Sequence, residues 1–277
     1  MNRVATHIDW LLGAQSLKPD SIDFLYADPP FNTGAAKRTP PNAHKRRGSP
    51  PLPTAHSPVP SSSYNDSWPS IPHYIAWLRD RLAATLPALK PTGVVAIHCD
   101  YRASHHIRFL LDELLGNEHF INHLIWHYGL GGSSPRRFAR KHDDILVYAI
   151  DEDRYFFEPP MVHATSQRLA GKLKKATDVL DIPSLNNMAS ERTGYPTQKP
   201  LALLELLVRA FCPQGGTVLD PCCGSGTTLV AATNTARHAI GFDISEDAIN
   251  VTNQRLVESK GTGRQLRLPP TGTRDAR

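Results

Sequence analysis

Leu219-Asp220-Pro221-Cys222-Cys223-Gly224-Ser225-Gly226-Thr227-Thr228 reads as the end of a strand, a glycine turn and the start of a helix. Thr217 to Asp220 supplies the strand, and Gly224 to Thr235 the turn and helix. Glycine has no Cβ, so the backbone at Gly224 and Gly226 can approach a ligand closely. The helix that follows offers free N–H groups to an anion or carboxylate. A second strand, His238 to Phe242, leads into Asp243, about twenty residues past Gly224, where an acid can accept hydrogen bonds from two ribose hydroxyls. A GxG turn alone reads equally well as a tight structural turn. The acid at the neighbouring strand end shifts the reading towards a nucleoside.

Two other nucleotide sites fit less well. A phosphate-binding loop needs a lysine that Gly226-Thr227-Thr228 lacks, and the dinucleotide fingerprint needs a third glycine. A nucleoside with a methionine tail requires one acid for the ribose and one polar grip on the amino-acid end, with no pyrophosphate cradle.

Near the start of the chain, Ile22 to Ala27 is a largely apolar run that stops at Asp28-Pro29-Pro30, a buried strand ending in a rigid loop. Ile75 to Leu89 has helical spacing, and Lys90-Pro91-Thr92-Gly93 is expected to end that helix. Val94 to Ile97 is a buried strand ending near Cys99-Asp100, and Ser104 to Leu115 a helix stopped by Gly116. Ile121 to Trp126 and Ile145 to Ile150 read as strands, Pro200 to Phe211 and Glu246 to Glu258 as helices. Such alternation predicts an α/β fold with a mostly parallel sheet covered on both faces, which binds ligands at the carboxyl ends of its strands. The expected organisation is a single domain over 1–258 and a disordered tail over 259–277. Residues 36–62, rich in Pro, Ser, Lys and Arg, are expected to form a mobile loop. Residues 151–193 lose the regular pattern, and their Lys-rich stretch is read as a short helix.

Asp28-Pro29-Pro30-Phe31 is the sharpest chemical feature. The prolines fix the backbone, so the Asp28 carboxylate and the Pro29 carbonyl can face one small space. Two acceptors there can hold both hydrogens of an exocyclic base amine and favour localisation of its lone pair on nitrogen. Phe31 offers a flat face for an extruded base. The plain alternative is a strand-ending turn with a capping Asp, which the glycine turn and Asp243 in the same chain disfavour.

The chain has 277 residues, 40% of them hydrophobic, enough for one substantial core. It has no apolar run long enough to span a membrane. Its start lacks the charged and apolar blocks of a signal peptide, which points to the cytoplasm. The four cysteines, Cys99, Cys212, Cys222 and Cys223, lack zinc-ligand spacing and read as reduced thiols. With 31 basic and 26 acidic residues the net charge is +5, which says little by itself. The clusters Lys45-Arg46-Arg47, Arg136-Arg137 with Arg140-Lys141, and Lys172-Lys174-Lys175 say more, and nucleic-acid phosphate is their expected partner. His98, His105, His106 and His142 lack metal-site spacing and read as surface or core-edge residues, while Trp68, Trp77 and Trp126 read as core.

Together these residues resemble the DNA amino-methyltransferases. The catalytic motif precedes the glycine motif, and that permuted order resembles the beta group of the family. Asp28 to Gly34 resembles its catalytic loop, and Tyr64-Asn65-Asp66-Ser67-Trp68 the segment after a variable insert. Ile97 to Asp100, Ile125-Trp126, and Arg137-Phe138 before Lys141-His142-Asp143 resemble its central segments. Gly194-Tyr195-Pro196-Thr197-Gln198-Lys199-Pro200 is similar to the segment that precedes the cofactor motif.

The resemblance implies a Rossmann-like methyltransferase fold with a seven-stranded sheet. It also implies S-adenosyl-L-methionine as cofactor and double-stranded DNA as substrate. Asp220, Gly224, Gly226, Thr227 and Asp243 would hold the cofactor, with Thr197 and Lys199 near the methionine carboxylate. Asp28, Pro29, Pro30 and Phe31 would receive the base. Asp before the prolines goes more often with adenine N6, and Ser with cytosine N4, so Asp28 favours adenine. Residues 151–193 would be a short reader of DNA sequence. A cognate restriction endonuclease and a second copy of the chain stay open as partners. The motif order disfavours an RNA amino-methyltransferase, and the intact motif set disfavours a DNA-binding protein without activity. A thiol-dependent cytosine-ring enzyme would need a free Pro-Cys loop, whereas Pro221-Cys222 lies in the glycine turn.

Overall fold

The computed structural model describes residues 5–32, 37–38, 63–64, 66–129, 133–164, 168, 171–186 and 189–262. The first half of the chain forms β1 (Ala5–His7), α1 (Trp10–Gln15), β2 (Ile22–Ala27), β3 (Lys37–Arg38), β4 (Ser63–Tyr64), α2 (Ile71–Thr85), β5 (Leu89–Cys99), α3 (Ser104–Leu115) and β6 (Phe120–His127). The second half forms β7 (His142–Ala149), β8 (Met161–His163), β9 (Leu173–Lys175), β10 (Val179–Asp181), α4 (Leu201–Phe211), β11 (Thr217–Asp220), α5 (Thr227–Asn234), β12 (His238–Asp243) and α6 (Glu246–Thr262).

The main sheet runs β1-β12-β11-β2-β5-β7-β6-β10. Only the pairings of β7 with β5 and with β6 are antiparallel in this sheet, so the expected mostly parallel α/β fold is present. The sheet has eight strands where seven were expected. The added strand is β10, from the irregular 151–193 segment, lying parallel to β6 at the sheet edge.

Alternation along β2 and β5 divides the core. Leu25, Ala27, Val95, Ile97 and Cys99 pack with Tyr74, Leu78 and Leu82 of α2 and Ile107 and Leu111 of α3. Phe24, Tyr26, Val94 and Ala96 face Leu203, Leu207 and Phe211 of α4 and Ala231 of α5. Both faces of the strands are covered, which explains why they read as continuous apolar runs.

Four local expectations are corrected. The helix expected over Ile75 to Leu89 is shifted towards the N-terminus, to Ile71–Thr85, with Pro72 in its first turn and a short 3-10 turn over Leu86–Ala88. Lys90 to Gly93 belongs to β5 instead of a helix-ending loop. The Lys-rich stretch is no helix: Leu173–Lys175 is β9, paired antiparallel with β8. Finally, α6 continues past Glu258 to Thr262. Residues 263–277 of the expected tail lie outside the described residues, as does the expected loop over 36–62 except for β3.

Asp23 explains why β5 begins early. Its buried carboxylate accepts from Lys90 Nζ at 2.9 and 2.8 Å and from the Thr217 backbone N–H at 2.8 Å, joining β2 to β5 and β11. Asp23→Ala would leave the Thr217 N–H unpaired while the Lys90 ammonium turns to water. We expect a loss of about 1–3 kcal/mol, read as a lower urea midpoint with an unchanged slope. An unchanged midpoint would show that the tie carries no weight.

Candidate active site

Strand order reverses between the parallel neighbours β2 and β11: β2 leads on to β5 on one side, and β11 to β12 on the other. A crevice opens at such a switch point, outside the carboxyl ends of the strands. Here it is a cleft of about 410 Å³, lined by Asp28 and Pro30 on one side, by Asp220, Gly224, Thr227 and Asp243 on the other, and by Thr197 and Lys199 between them. The volume lies within the roughly 300–1,000 Å³ usual for small-molecule sites. Tyr195, Trp68 and Trp77 supply aromatic walls.

The glycine turn is held from below. Gly226 has φ +74°, and a Cβ there would lie 2.6 Å from Thr252 of α6. At Gly224, φ is +50°, and a Cβ would meet the Tyr195 ring at 3.2 Å. These two glycines are therefore required by left-handed backbone and close packing, besides any approach of a ligand. Thr252 Oγ1 donates to the Gly224 carbonyl at 3.0 Å. Arg255 Nη1 donates to the Ser225 carbonyl at 2.6 Å and to Thr227 Oγ1 at 3.0 Å. Neither α6 residue stands out in the sequence, where both look like ordinary helix positions.

Asp243 accepts one backbone N–H on each oxygen, from Gly224 at 2.9 Å and from Ser245 at 2.8 Å. A carboxylate has about four lone-pair sites, so acceptor capacity remains for a ribose diol. Burial raises the Asp243 pKa despite these bonds. Asp220 is turned into the loop. It accepts from Cys222 N at 3.1 Å and from the Thr228 hydroxyl, and burial pushes it up to about 7. Burial also raises the thiols of Cys222 and Cys223, so neither supplies a thiolate nucleophile.

On the other wall, Pro29 is buried and Asp28 partly exposed at the end of β2. Asp28 Oδ2 forms an ion pair with Lys199 Nζ. Lys199, expected beside a methionine carboxylate, is thus paired with the motif carboxylate in this structure. Its ammonium also lies 5.3 Å from the centre of the Phe31 ring. Thr197 has φ +62°, an uncommon backbone for threonine, and holds the bend of the segment leading to Lys199.

His98 corrects another expectation. It is fully buried, under Phe31, with Tyr26 and Asp143 as hydrogen-bond partners. The signal was a histidine within the otherwise apolar strand Val94 to Cys99. Trp126 is buried as expected, and Trp68 and Trp77 pack half-buried against the core. Among the described residues, no group of three His, Cys, Asp or Glu side chains could hold a metal, and no helix is long and apolar enough to cross a membrane.

The basic cluster divides. Arg136, Arg137 and Arg140 are exposed on the loop between β6 and β7, and Arg140 lies over the Tyr101 ring at 3.7 Å. Lys141 is half-buried. Pairing of Cys99 with Asp144 and of His127 with His142 puts this loop on the sheet edge that carries the cleft. Lys45, Arg46 and Arg47 lie outside the described residues.

Asp220 generates a pH prediction. Its folded pKa of about 7 lies above its ordinary value of 3.8. The folded state therefore holds a proton that the unfolded state has lost between these values, and stability falls as pH rises through that window. Asp220→Asn removes this dependence. Its Tm relative to the unsubstituted protein should rise from acid to neutral pH, and a pH-independent difference would refute the assignment.

Known proteins share this fold and family. A family model described as DNA methylase, for N6 and N4 methyltransferases, matches residues 22–254. The Type II methyltransferase M.ScaI of Streptomyces caespitosus is 33% identical over 208 residues, covering 68% of this chain and 68% of that protein. The Type II methyltransferase M.HpaI of Haemophilus parainfluenzae is 26% identical over 246 residues, covering 87% and 70%. The crystal structure of the M1.HpyAVI–SAM complex aligns with a TM-score of 0.60 at 21% identity, over 91% of this chain and 98% of that one. The PvuII DNA methyltransferase, cytosine-N4-specific, aligns with a TM-score of 0.61 at 16% identity, over 91% and 85%. At such identities the solved structures show the fold, whereas the family match takes in every strand of the main sheet but β1 and residues of both walls of the cleft. On that ground the chain belongs to the N6/N4 DNA methylases, which transfer a methyl group from S-adenosyl-L-methionine to an exocyclic amino group of a DNA base.

Proposed function

We propose that this chain methylates adenine N6 at a specific duplex site, with Asp28 and the Pro29 carbonyl receiving the amine of an extruded base. The observation that supports it most is the meeting of Asp28 and the glycine turn across one cleft. S-adenosyl-L-methionine supplies a methyl group on a positive sulfonium, so no metal or acid is needed to activate the leaving group. The chain's own part is positioning and electrostatics. Asp243 would bind the ribose hydroxyls, and Gly224, Gly226 and Thr227 would line the amino-acid end, with Asp220 holding their turn. Thr197 and Lys199 would approach the methionine carboxylate, Lys199 leaving Asp28 to do so. Asp28 is then free to accept from the amine while Phe31 stacks on the base. The adenine assignment rests on Asp, in place of Ser, before the prolines. M.ScaI and M.HpaI are named Type II methyltransferases, and the same restriction-modification setting is proposed here, with an endonuclease of the same specificity as partner.

Asp28→Ala should leave cofactor affinity nearly intact and abolish turnover. Single-molecule sequencing of host DNA carrying either gene checks this. A motif-restricted N6-methyladenine mark that depends on Asp28 supports the proposal, whereas an N4-methylcytosine mark reverses the base. No mark from a folded, cofactor-binding protein would overturn the proposed duplex site.

The exposed arginines would bind phosphate. Replacing Arg136, Arg137 and Arg140 with Ala should weaken DNA binding and flatten the dependence of log K on log salt, by about 0.9 for each phosphate no longer neutralised. An unchanged slope would make this loop a bystander.

A further inference from the structure

Beneath the cleft lies a buried polar chain that the proposed chemistry does not use. Tyr26 Oη and His98 Nδ1 are 2.7 Å apart, and His98 Nε2 and Asp143 Oδ2 are 3.3 Å apart. Tyr128 Oη donates to the other oxygen of Asp143 at 3.4 Å. Tyr26 and His98 are almost wholly removed from solvent.

The protonation pattern follows from the partners. Burial, reinforced by Asp28, Asp220 and Asp143, raises the Tyr26 pKa far above neutral, so its hydroxyl is a donor. Burial alone would raise the Asp143 pKa, but the His98 hydrogen bond and the fields of His98 and Lys199 bring it below its ordinary value, so it is a carboxylate acceptor. His98 is thus held at both ring nitrogens, Nδ1 by the Tyr26 hydroxyl and Nε2 by the Asp143 carboxylate. Two bonds at opposite sides of the ring fix its plane. Trp126 closes the position from the side, edge-on with ring centres 5.6 Å apart.

Phe31 lies against this fixed plane, its ring centre 5.8 Å from that of His98 at an interplanar angle of 31°. Phe31 is only partly buried and follows two prolines in a loop. A buried hydrogen-bonding group is a costly choice for mere filling, since an apolar residue would need no partners. What the imidazole adds is an orientation set by both ends.

We propose that His98 is a positioning residue for methyl transfer, a plane fixed by Tyr26 and Asp143 that sets the ring of Phe31 against the extruded base. The proposal rests on the assignment of Phe31 to base stacking.

The test is a double-mutant cycle of His98→Leu and Phe31→Ala, with methyl transfer from tritiated S-adenosyl-L-methionine to unmethylated phage DNA. His98→Leu should lower kcat about tenfold to a hundredfold, because small misplacements of the reacting groups are that costly. Its affinity for the cofactor, measured by calorimetry, should stay within about twofold, since the partners of His98 named above, Tyr26, Asp143, Phe31 and Trp126, all lie outside the glycine turn. In the Phe31→Ala background, His98→Leu should have little further effect, because its route of action is gone. Additive losses, an unchanged kcat, or parallel loss of cofactor affinity would each overturn the proposal. If His98→Leu does not fold, Tyr26→Phe serves in the same cycle, deleting one hydroxyl while keeping the ring. An inert Phe31→Ala would instead reject base stacking by Phe31, and would do so while the wild-type protein still methylates DNA.

Discussion

The parallel pairing of β2 with β11 is the constraint on which the site depends. Phe24 opposes Val218 and Leu25 opposes Leu219, so Asp28 and Asp220 emerge at neighbouring strand ends although 192 residues separate them in sequence. Asp23 reinforces the pairing through the Thr217 N–H. Neither motif makes a site alone. Asp-Pro-Pro-Phe without the glycine turn is a rigid loop, and the turn without it is a strand-to-helix connection.

The pairing gathers negative charge. Asp28, Asp220 and Asp243 all line one cleft, and the raised pKa values of Asp220 and Asp243 record the burial that comes with it. Against that burial His7 lowers the Asp243 pKa, and Lys199, brought in by a segment distant from β2 in sequence, pairs with Asp28. Its partner matters for the chemistry. A carboxylate engaged by an ammonium is a poorer acceptor for an amine, so the proposed chemistry requires Lys199 to release Asp28. A cofactor carboxylate that competes for Lys199 would couple filling of one wall to readiness of the other. Arg255 has the opposite situation: burial lowers its pKa, and it is tied to the backbone and hydroxyl of the glycine turn.

Much of this was legible because the periodic signals were strong. Fully buried strands such as Val94 to Ile97, and Ile22 to Ala27 apart from Asp23, are apolar runs, and Asp or Gly marks where they stop. What escaped depended on partners distant in sequence. Lys90 to Gly93 reads as a helix stop, yet Asp23 draws Lys90 into the sheet. Three lysines near Leu173 suggest a helix, but β8 supplies a strand partner. His98 looked ordinary because no local spacing links it to Tyr26 or Asp143, which reach it from other strands. Gly224 and Gly226 were legible as necessary but only partly for the right reason, since the packing of Thr252 and Tyr195 is invisible from the motif.

The irregular segment 151–193 bears on how such a protein could read DNA. Its last strand, β10, extends the main sheet beside β6, and the Trp126 indole donates to the Ile182 carbonyl at 2.7 Å just beyond it. That end of the segment is thus fixed to the scaffold. Between it and β7, the β8–β9 pair carries lysines on an exposed strand. A reader built this way has one end anchored in the sheet and little chain left to wrap a long duplex site. The exposed arginines on the loop between β6 and β7 stand at the end of the sheet that carries the cleft, where the phosphate contacts proposed for them would lie beside the extruded base. Grip and sequence reading would then come from separate segments, joined through β6 and β10.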